Sequence, residues 1–222
     1  ILDRSSVVLD LGQLGFEPKQ LEVMRRAMSA SYGLIILTGP TGSGKTTTLY
    51  AILSEMKDAT KNIVTVEDPV EYKLEGINQV QVKSEIGLTF ASALRSFLRQ
   101  DPDVMLVGEV RDLETAEICI RSALTGHLVL STLHTNDAPS AINRLMDIGV
   151  EPFLITPSLL CVVGQRLIRK LCGDCKEAYE PSPKQLKDCG LKADLLYKPK
   201  GCPKCNHLGY RGRLSIAEVM PI

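Results

Sequence analysis

Residues 34–49, Leu-Ile-Ile-Leu-Thr-Gly-Pro-Thr-Gly-Ser-Gly-Lys-Thr-Thr-Thr-Leu, constrain the fold more than any other stretch of the chain. The apolar run Leu34–Leu37 reads as a buried strand, and Thr47–Met56 supports a helix. Between them, Gly39-Pro40-Thr41-Gly42-Ser43-Gly44-Lys45-Thr46 fits G-x-x-x-x-G-K-[ST] at every fixed position. Glycines 39, 42 and 44 open backbone conformations closed to other residues, so successive N–H groups can converge on phosphate oxygens. The helix start adds its positive dipole end, in which Thr47 takes part. Lys45 is placed to reach the β- and γ-phosphates, and the Thr46 hydroxyl to ligate Mg²⁺. An ordinary glycine-rich turn would explain the glycines, but not Lys45 and Thr46 at these offsets with a strand before and a helix after.

Acidic residues recur at the ends of two later apolar runs. Asn62–Glu67 reads as a strand delivering Glu67 and Asp68, and open α/β sheets place ligands at strand carboxyl ends. Acids there can serve Mg²⁺ or the attacking water; the plainer reading of Asp68-Pro69 is a turn. Asp103–Val107 is a second such strand and ends in Gly108-Glu109. Gly108 stands where a Walker B strand usually carries its magnesium-organising Asp, whereas Glu109 stands where the water-activating acid follows. A third run, His127–Leu133, leads to His134, the candidate for sensing the γ-phosphate. His127, at the start of that strand, reads as structural.

Helices are expected over Pro18–Ser29, Thr89–Gln100, Asp112–Ala123, Ala138–Ile148 and Pro152–Leu171. A short antiparallel hairpin is expected over 70–87, with Ile77–Val82 its clearer arm, and a short strand around Val7–Leu11. Strands alternating with helices predict an α/β fold with a mostly parallel sheet.

The character changes at Cys172-Gly-Asp-Cys175. A second knuckle, Cys202-Pro-Lys-Cys205, follows after 26 residues. Four thiolates in two C-x-x-C pairs suit tetrahedral Zn²⁺ and leave no open position, so the expected role is structural. The spacer exceeds that of an ordinary zinc ribbon; a helical hairpin beginning at Pro183–Cys189 could fill it. A redox C-x-x-C is the alternative, and Cys119, Cys161 and Cys189 read as buried or spare thiols.

Charge divides the chain as well. Formal net charge is zero, yet residues 1–165 carry 14 basic and 20 acidic side chains, whereas residues 166–213 carry 12 and 5. A basic appendage on an acidic body implies different partners for the two parts. No apolar run approaches the ~20 residues that span a bilayer, and no signal peptide is visible. The chain opens on Ile1, which suggests a piece of a longer protein. The organisation expected is a linker over 1–17, an ATPase core over 18–165, a helix with the tetracysteine module over 166–213, and a segment over 214–222 returning to the core.

In combination these boxes resemble a known family. Gly39–Thr46, Thr65–Glu71 with Glu67, Arg95–Asp103, Gly108–Asp112, Thr125–His127 and Ser131–Asn136 look like the secretion ATPases, the hexameric motors of type II secretion and type IV pilus assembly. The tetracysteine module is similar to that of the extension-type (GspE/PilB-like) branch. The resemblance implies a RecA-like P-loop NTPase core, ATP hydrolysis with Mg²⁺, and a homo-hexamer at the cytoplasmic face of the inner membrane. It implies an inner-membrane platform protein and a cytoplasmic-domain anchor protein as partners, with Glu67 and Glu109 as catalytic acids and His134 in a histidine box. Arginines acting on the phosphates would come from a domain upstream of Ile1. Contact with anionic lipid is a further expectation from the basic module. The competing reading is a nucleic-acid-translocating or DNA-transfer ATPase with a zinc ribbon. The acidic core and the few aromatics (four Phe, six Tyr, no Trp) argue against it, and no nucleic acid is expected.

Overall fold

The computed structural model describes residues 10–222. They fall into two compact units: the chain up to Arg166 together with Ser215–Ile222, and the insertion Leu167–Leu214.

A seven-stranded sheet carries the first unit. Its strands are β1 (Gly33–Thr38), β2 (Ile63–Glu67), β3 (Asn78–Gln81), β4 (Val104–Val107), β5 (Leu128–Leu133), β6 (Leu159–Leu171) and β9 (Tyr210–Pro221), in the order β3-β2-β4-β5-β1-β6-β9. β3, β2, β4, β5, β1 and β6 are parallel neighbours. Every residue of β1, β2, β4 and β5 is buried. That explains why they read as continuous apolar runs: helices cover both faces of a parallel sheet.

The pleat sorts the side chains. Leu34, Ile36, Val64, Val66, Met105 and Val107 face one core with α3 (Phe90–Phe97), α4 (Leu113–Leu124), α5 (Pro139–Ile148) and α6 (Pro152–Ser158). Ile35, Leu37, Leu106 and Leu130 face a second core with α1 (Pro18–Met28) and α2 (Lys45–Met56). Local signals set the helix starts. Thr89 and Ser92 form a capping box at α3, and the Asp112 carboxylate accepts the Thr115 N–H at α4.

Several expectations need correcting. The helix over Pro152–Leu171, and with it the helix assigned to the start of the 166–213 segment, stops at Ser158; residues 159–171 are β6. Pro157 lies inside the short helix and removes a backbone donor. Leu159–Gln165 then gains more as a strand, because it pairs with β1 and is buried on both faces. A short apolar run does not distinguish the two states by periodicity.

The antiparallel hairpin over 70–87 is also absent. Ile77–Val82 supplies β3, but β3 runs parallel to β2, with Val64 opposite Asn78 and Glu67 opposite Gln81. Alternation marks a strand, not its direction. The connection folds back through Gln79, whose side-chain oxygen accepts the Leu74 N–H at 2.7 Å. Of the strand expected around Val7–Leu11, residues 7–9 lie outside the described residues, as does most of the 1–17 linker; Leu11 opens a 3₁₀ turn, Leu11–Gln13, capped by Asp10.

In the second unit, β7 (Glu177–Tyr179) and β8 (Leu196–Lys198) pair antiparallel, with α7 (Pro183–Cys189) between them in sequence. The cysteine spacer is therefore a strand, a helix and a strand, not a helical hairpin. Gly190, in the left-handed region at φ +64°, ends the helix where a second one was expected to follow.

Candidate functional site

Gly39–Gly44 connects the carboxyl end of β1 to the first turn of α2. Gly44, at φ +88°, is the residue preceding the helix, and the first backbone bond of α2 runs from the Thr48 N–H to the Gly44 carbonyl. The N–H groups of Lys45, Thr46 and Thr47 thus lack an intrahelical acceptor and are available to an anion. Lys45 is buried, and its Nζ donates to the carbonyls of Gly39 (2.7 Å) and Pro40 (3.1 Å). Burial lowers its pKa, while the Glu109 carboxylate acts in the opposite direction. Pro40, Thr41 and Gly42 are exposed, Thr46 and Thr47 half-buried, and the Ser43 side chain is buried beneath the loop. Gly39, at φ +143°, has no room for a side chain: a Cβ there would lie 2.3 Å from the Gln165 carbonyl oxygen.

Glu109 follows β4 and is 8 % exposed. It pairs with Arg111, and His134 Nε2 lies 3.6 Å from its Oε2. Cross-links between neighbouring strand ends hold this group. Thr132 Oγ1 donates to the Gly108 carbonyl at 2.7 Å, the Val110 N–H to the Thr132 carbonyl at 3.1 Å, and Ser131 Oγ to the Val107 carbonyl at 2.8 Å. The Thr135 N–H donates to Thr38 Oγ1 at 2.9 Å, tying the turn after His134 to the end of β1. The structure thus brings together Lys45, Glu109 and His134. Gly108 is closely packed: a Cβ there would stand 3.3 Å from Glu67 Cα and 3.4 Å from the Val66 carbonyl oxygen, a tight contact with the end of β2.

Glu67 is held differently. It ends β2 at 3 % exposure, and both carboxylate oxygens are engaged. Oε2 accepts from the Tyr50 hydroxyl; Oε1 accepts from Thr65 Oγ1 at 2.6 Å and Gln79 Nε2 at 3.2 Å. Burial and the bond to Glu67 push the Tyr50 pKa up. Among the described residues, the carboxylate bonds to no P-loop side chain. His127 lies at the opposite end of β5 from His134, with Nδ1 3.2 Å from the Ser122 carbonyl, a structural contact. Arg95 pairs with Glu114 on the exposed surface.

In the second unit the sulfurs of Cys172, Cys175, Cys202 and Cys205 all lie within 4.8 Å of one another. Three separations are 3.8–4.0 Å. A tetrahedral zinc with Zn–S bonds near 2.3 Å requires sulfurs about 3.8 Å apart. All four thiols are free, so the donor set fits Zn²⁺ and excludes disulfides within the cluster. The thiols diverge: burial pushes Cys175 up to about 12, whereas at Cys205 the N–H groups of Cys202 and Gly209 outweigh burial and bring it down to about 6. Cys119 and Cys161 are buried, with thiols pushed up to about 12 by that burial, and Cys189 is exposed.

A family model described as "Type II/IV secretion system protein" matches residues 1–222. The chain belongs to this family. It is 54 % identical over 227 residues to the type IV pilus assembly ATPase PilB of Myxococcus xanthus, covering 100 % of this chain and 40 % of that protein. It is 54 % identical over 223 residues to the type II secretion system ATPase E of Vibrio cholerae, covering 99 % and 44 %. The chain therefore spans less than half the length of these relatives. Among solved structures, the pilus retraction motor PilT with bound ADP superposes at a TM-score of 0.66 with 40 % identity, over 74 % of this chain and 50 % of that one. The fold is that of the secretion ATPases, a RecA-like α/β core with a tetracysteine cluster appended.

Three residues of this family member escape sequence reasoning. Tyr50 and Gln79 lie in segments read only for their secondary structure. Gln165 falls within residues read as helix, where a polar residue carries no signal; its position in a strand beside β1 gives it one.

Proposed function

We propose that this chain is the nucleotide-hydrolysing region of a secretion-family motor, converting ATP and water to ADP and phosphate to drive pilus or pseudopilus assembly. The observation that carries the reading is the juxtaposition of the Lys45 loop with Glu109 and His134 at the carboxyl ends of parallel strands, in a chain 54 % identical to a pilus assembly ATPase. ATP seats its phosphates on the loop of residues 39–47. The Lys45 ammonium leaves the Gly39 and Pro40 carbonyls for the β- and γ-phosphates, and Glu109 orients the attacking water. His134, beside Glu109, responds to the γ-phosphate. The Thr46 hydroxyl would hold Mg²⁺, which would supply charge neutralisation at the phosphates. Glu67 is the second acid implied by the resemblance. Its carboxylate is held at the end of β2 by Tyr50, Thr65 and Gln79, which fixes where that acid stands.

Cys172, Cys175, Cys202 and Cys205 hold a structural Zn²⁺. Residues 18–165 form the catalytic core with 214–222 returning to it, 166–213 the appended module, and 1–17 the linker from an upstream domain. That domain supplies arginines to the phosphates. The working form is a homo-hexamer, cytoplasmic and bound to the inner membrane through a platform protein and an anchor protein, with anionic lipid facing the basic module. No helix among the described residues is long and apolar enough to cross a membrane.

The test is ATP affinity and turnover of two variants. Lys45→Ala should lose both. Glu109→Gln should retain affinity and lose turnover by about 10²–10³-fold, the scale of a removed transition-state contact. Full turnover by Glu109→Gln would defeat the assignment.

A further inference from the structure

The parallel pairing of β1 with β6 sets Thr38 opposite Gly164, and so sets the next residues, Gly39 and Gln165, side by side. Gln165 is 2 % exposed. We infer that Gln165 is a positioning residue for the phosphate-binding loop, holding the loop backbone from beneath, with Ser215 completing the hold. The inference rests on the nucleotide reading above and adds a residue to it.

The amide is fully used. Gln165 Nε2 donates to the Ser43 carbonyl at 3.0 Å and to Ser215 Oγ at 3.2 Å, while Oε1 accepts from Thr48 Oγ1 at 2.9 Å. Its orientation is determined. The Ser43 carbonyl can only accept, so the NH₂ must face it; the reverse orientation would oppose two oxygens. The consequence for binding follows from the peptide plane. In a trans peptide the N–H points opposite the C=O. Anchoring the Ser43 carbonyl on Gln165 therefore turns the Gly44 N–H away from Gln165, leaving it for an anion at the start of α2. The Thr48 bond ties the first turn of α2 to the same amide.

The Gln165 main chain acts in concert, because its carbonyl oxygen occupies the space a side chain on Gly39 would need. Loop entry at Gly39 and loop exit at Ser43–Gly44 thus rest on one residue. Ser215 is 5 % exposed, and its N–H donates to the Leu14 carbonyl at 3.0 Å, which fixes the acceptor for the second Gln165 proton. A buried amide that served stability alone would have no reason to bond both the loop at Ser43 and the first turn of α2 at Thr48.

The experiment measures Mg·ATP affinity by calorimetry and thermal midpoint for the 222-residue chain and its variants. Gln165→Glu keeps the shape but cannot donate, and it sets a carboxylate against the Ser43 carbonyl. ATP should bind about tenfold or more weakly, the size of a lost buried hydrogen bond. Gln165→Met, which adds no charge, should weaken binding in the same direction and serves if the glutamate variant does not fold. Ser215→Ala should weaken binding about two- to fivefold. Ser158→Ala removes a buried bond at the end of α6, at the opposite end of the β1–β6 pairing from Gln165; it should lower the midpoint yet leave affinity within about twofold. Wild-type affinity in Gln165→Glu or Gln165→Met overturns the inference. So does a loss of affinity in Ser158→Ala that matches theirs. Wild type and Lys45→Ala separate this failure from that of the nucleotide reading. If both fail to bind ATP, or bind it equally, the site itself is wrong. If only wild type binds, the site stands and the Gln165 variants decide.

Discussion

The two units of this chain are ordered by different physics. In the first, four central strands are buried throughout and helices seal both faces, so apolar burial dominates its stability. In the second, α7 buries no residue, the paired strands β7 and β8 are half-buried or exposed, and the buried cysteines Cys172 and Cys205 belong to the sulfur cluster. Its polar contacts are exposed, such as Lys204 with Asp174 and Lys200 with Glu177. Cation–π contacts of Arg169 over Tyr210 and Lys176 over Tyr197 add to them. A segment of fewer than 50 residues has little apolar surface to bury, and under the proposed reading a metal held by the four thiolates would substitute for the missing core.

Metal removal is the sharpest way to break this comparison. Chelation, or Cys172→Ser, should abolish amide-exchange protection across residues 172–205, because metal binding in sites of this kind contributes on the order of 10 kcal/mol to folding. Protection in β1, β2, β4 and β5 should persist. Exchange mass spectrometry that found the module equally protected without metal would show a core that burial does not reveal. The converse perturbation is Leu106→Ala, in the buried centre of β4. It should cost about 2–5 kcal/mol in urea unfolding of the first unit.

Buried polar groups should fall between these and the surface. Tyr50→Phe deletes one donor to the enclosed Glu67 carboxylate without leaving a void, and should destabilise the first unit by about 1–3 kcal/mol. An unchanged unfolding midpoint would mean that Thr65 and Gln79 satisfy the acid alone. The smallest effect is expected at the exposed turn before α5. The Ser140 hydroxyl and N–H hold the Asp137 carboxyl below its ordinary pKa. Because the folded value is depressed, its contribution is present above the unfolded carboxylate value near 4 and fades as pH falls through the folded one. Asp137→Ala should therefore lower stability slightly at pH 7, with the gap to wild type closing in acid.

Much of this was legible in the chain, for reasons that particular residues make plain. Gly39–Thr46 requires left-handed glycines and a lysine at set offsets, and a strand–loop–helix context that local sequence supplies. The helix starts at Thr89 and Asp112 declare themselves through caps formed within three residues. The cysteine knuckles do so through ligand spacing. In each case the interaction that decides the conformation is encoded by neighbours in sequence.

Tertiary structure decided the rest, because the determining partner is distant in the chain. Leu159–Gln165 is a strand because β1 lies beside it, and its composition alone suits a helix as well. β3 runs parallel to β2 because a pairing partner, not alternation, sets direction. Gly108 packs closely against the end of β2, and Glu67 is enclosed because Tyr50 and Gln79 converge on it. Gln165 reaches Ser43 across 122 positions of sequence. Pattern reports the environment a residue needs, whereas only packing determines which residue provides it.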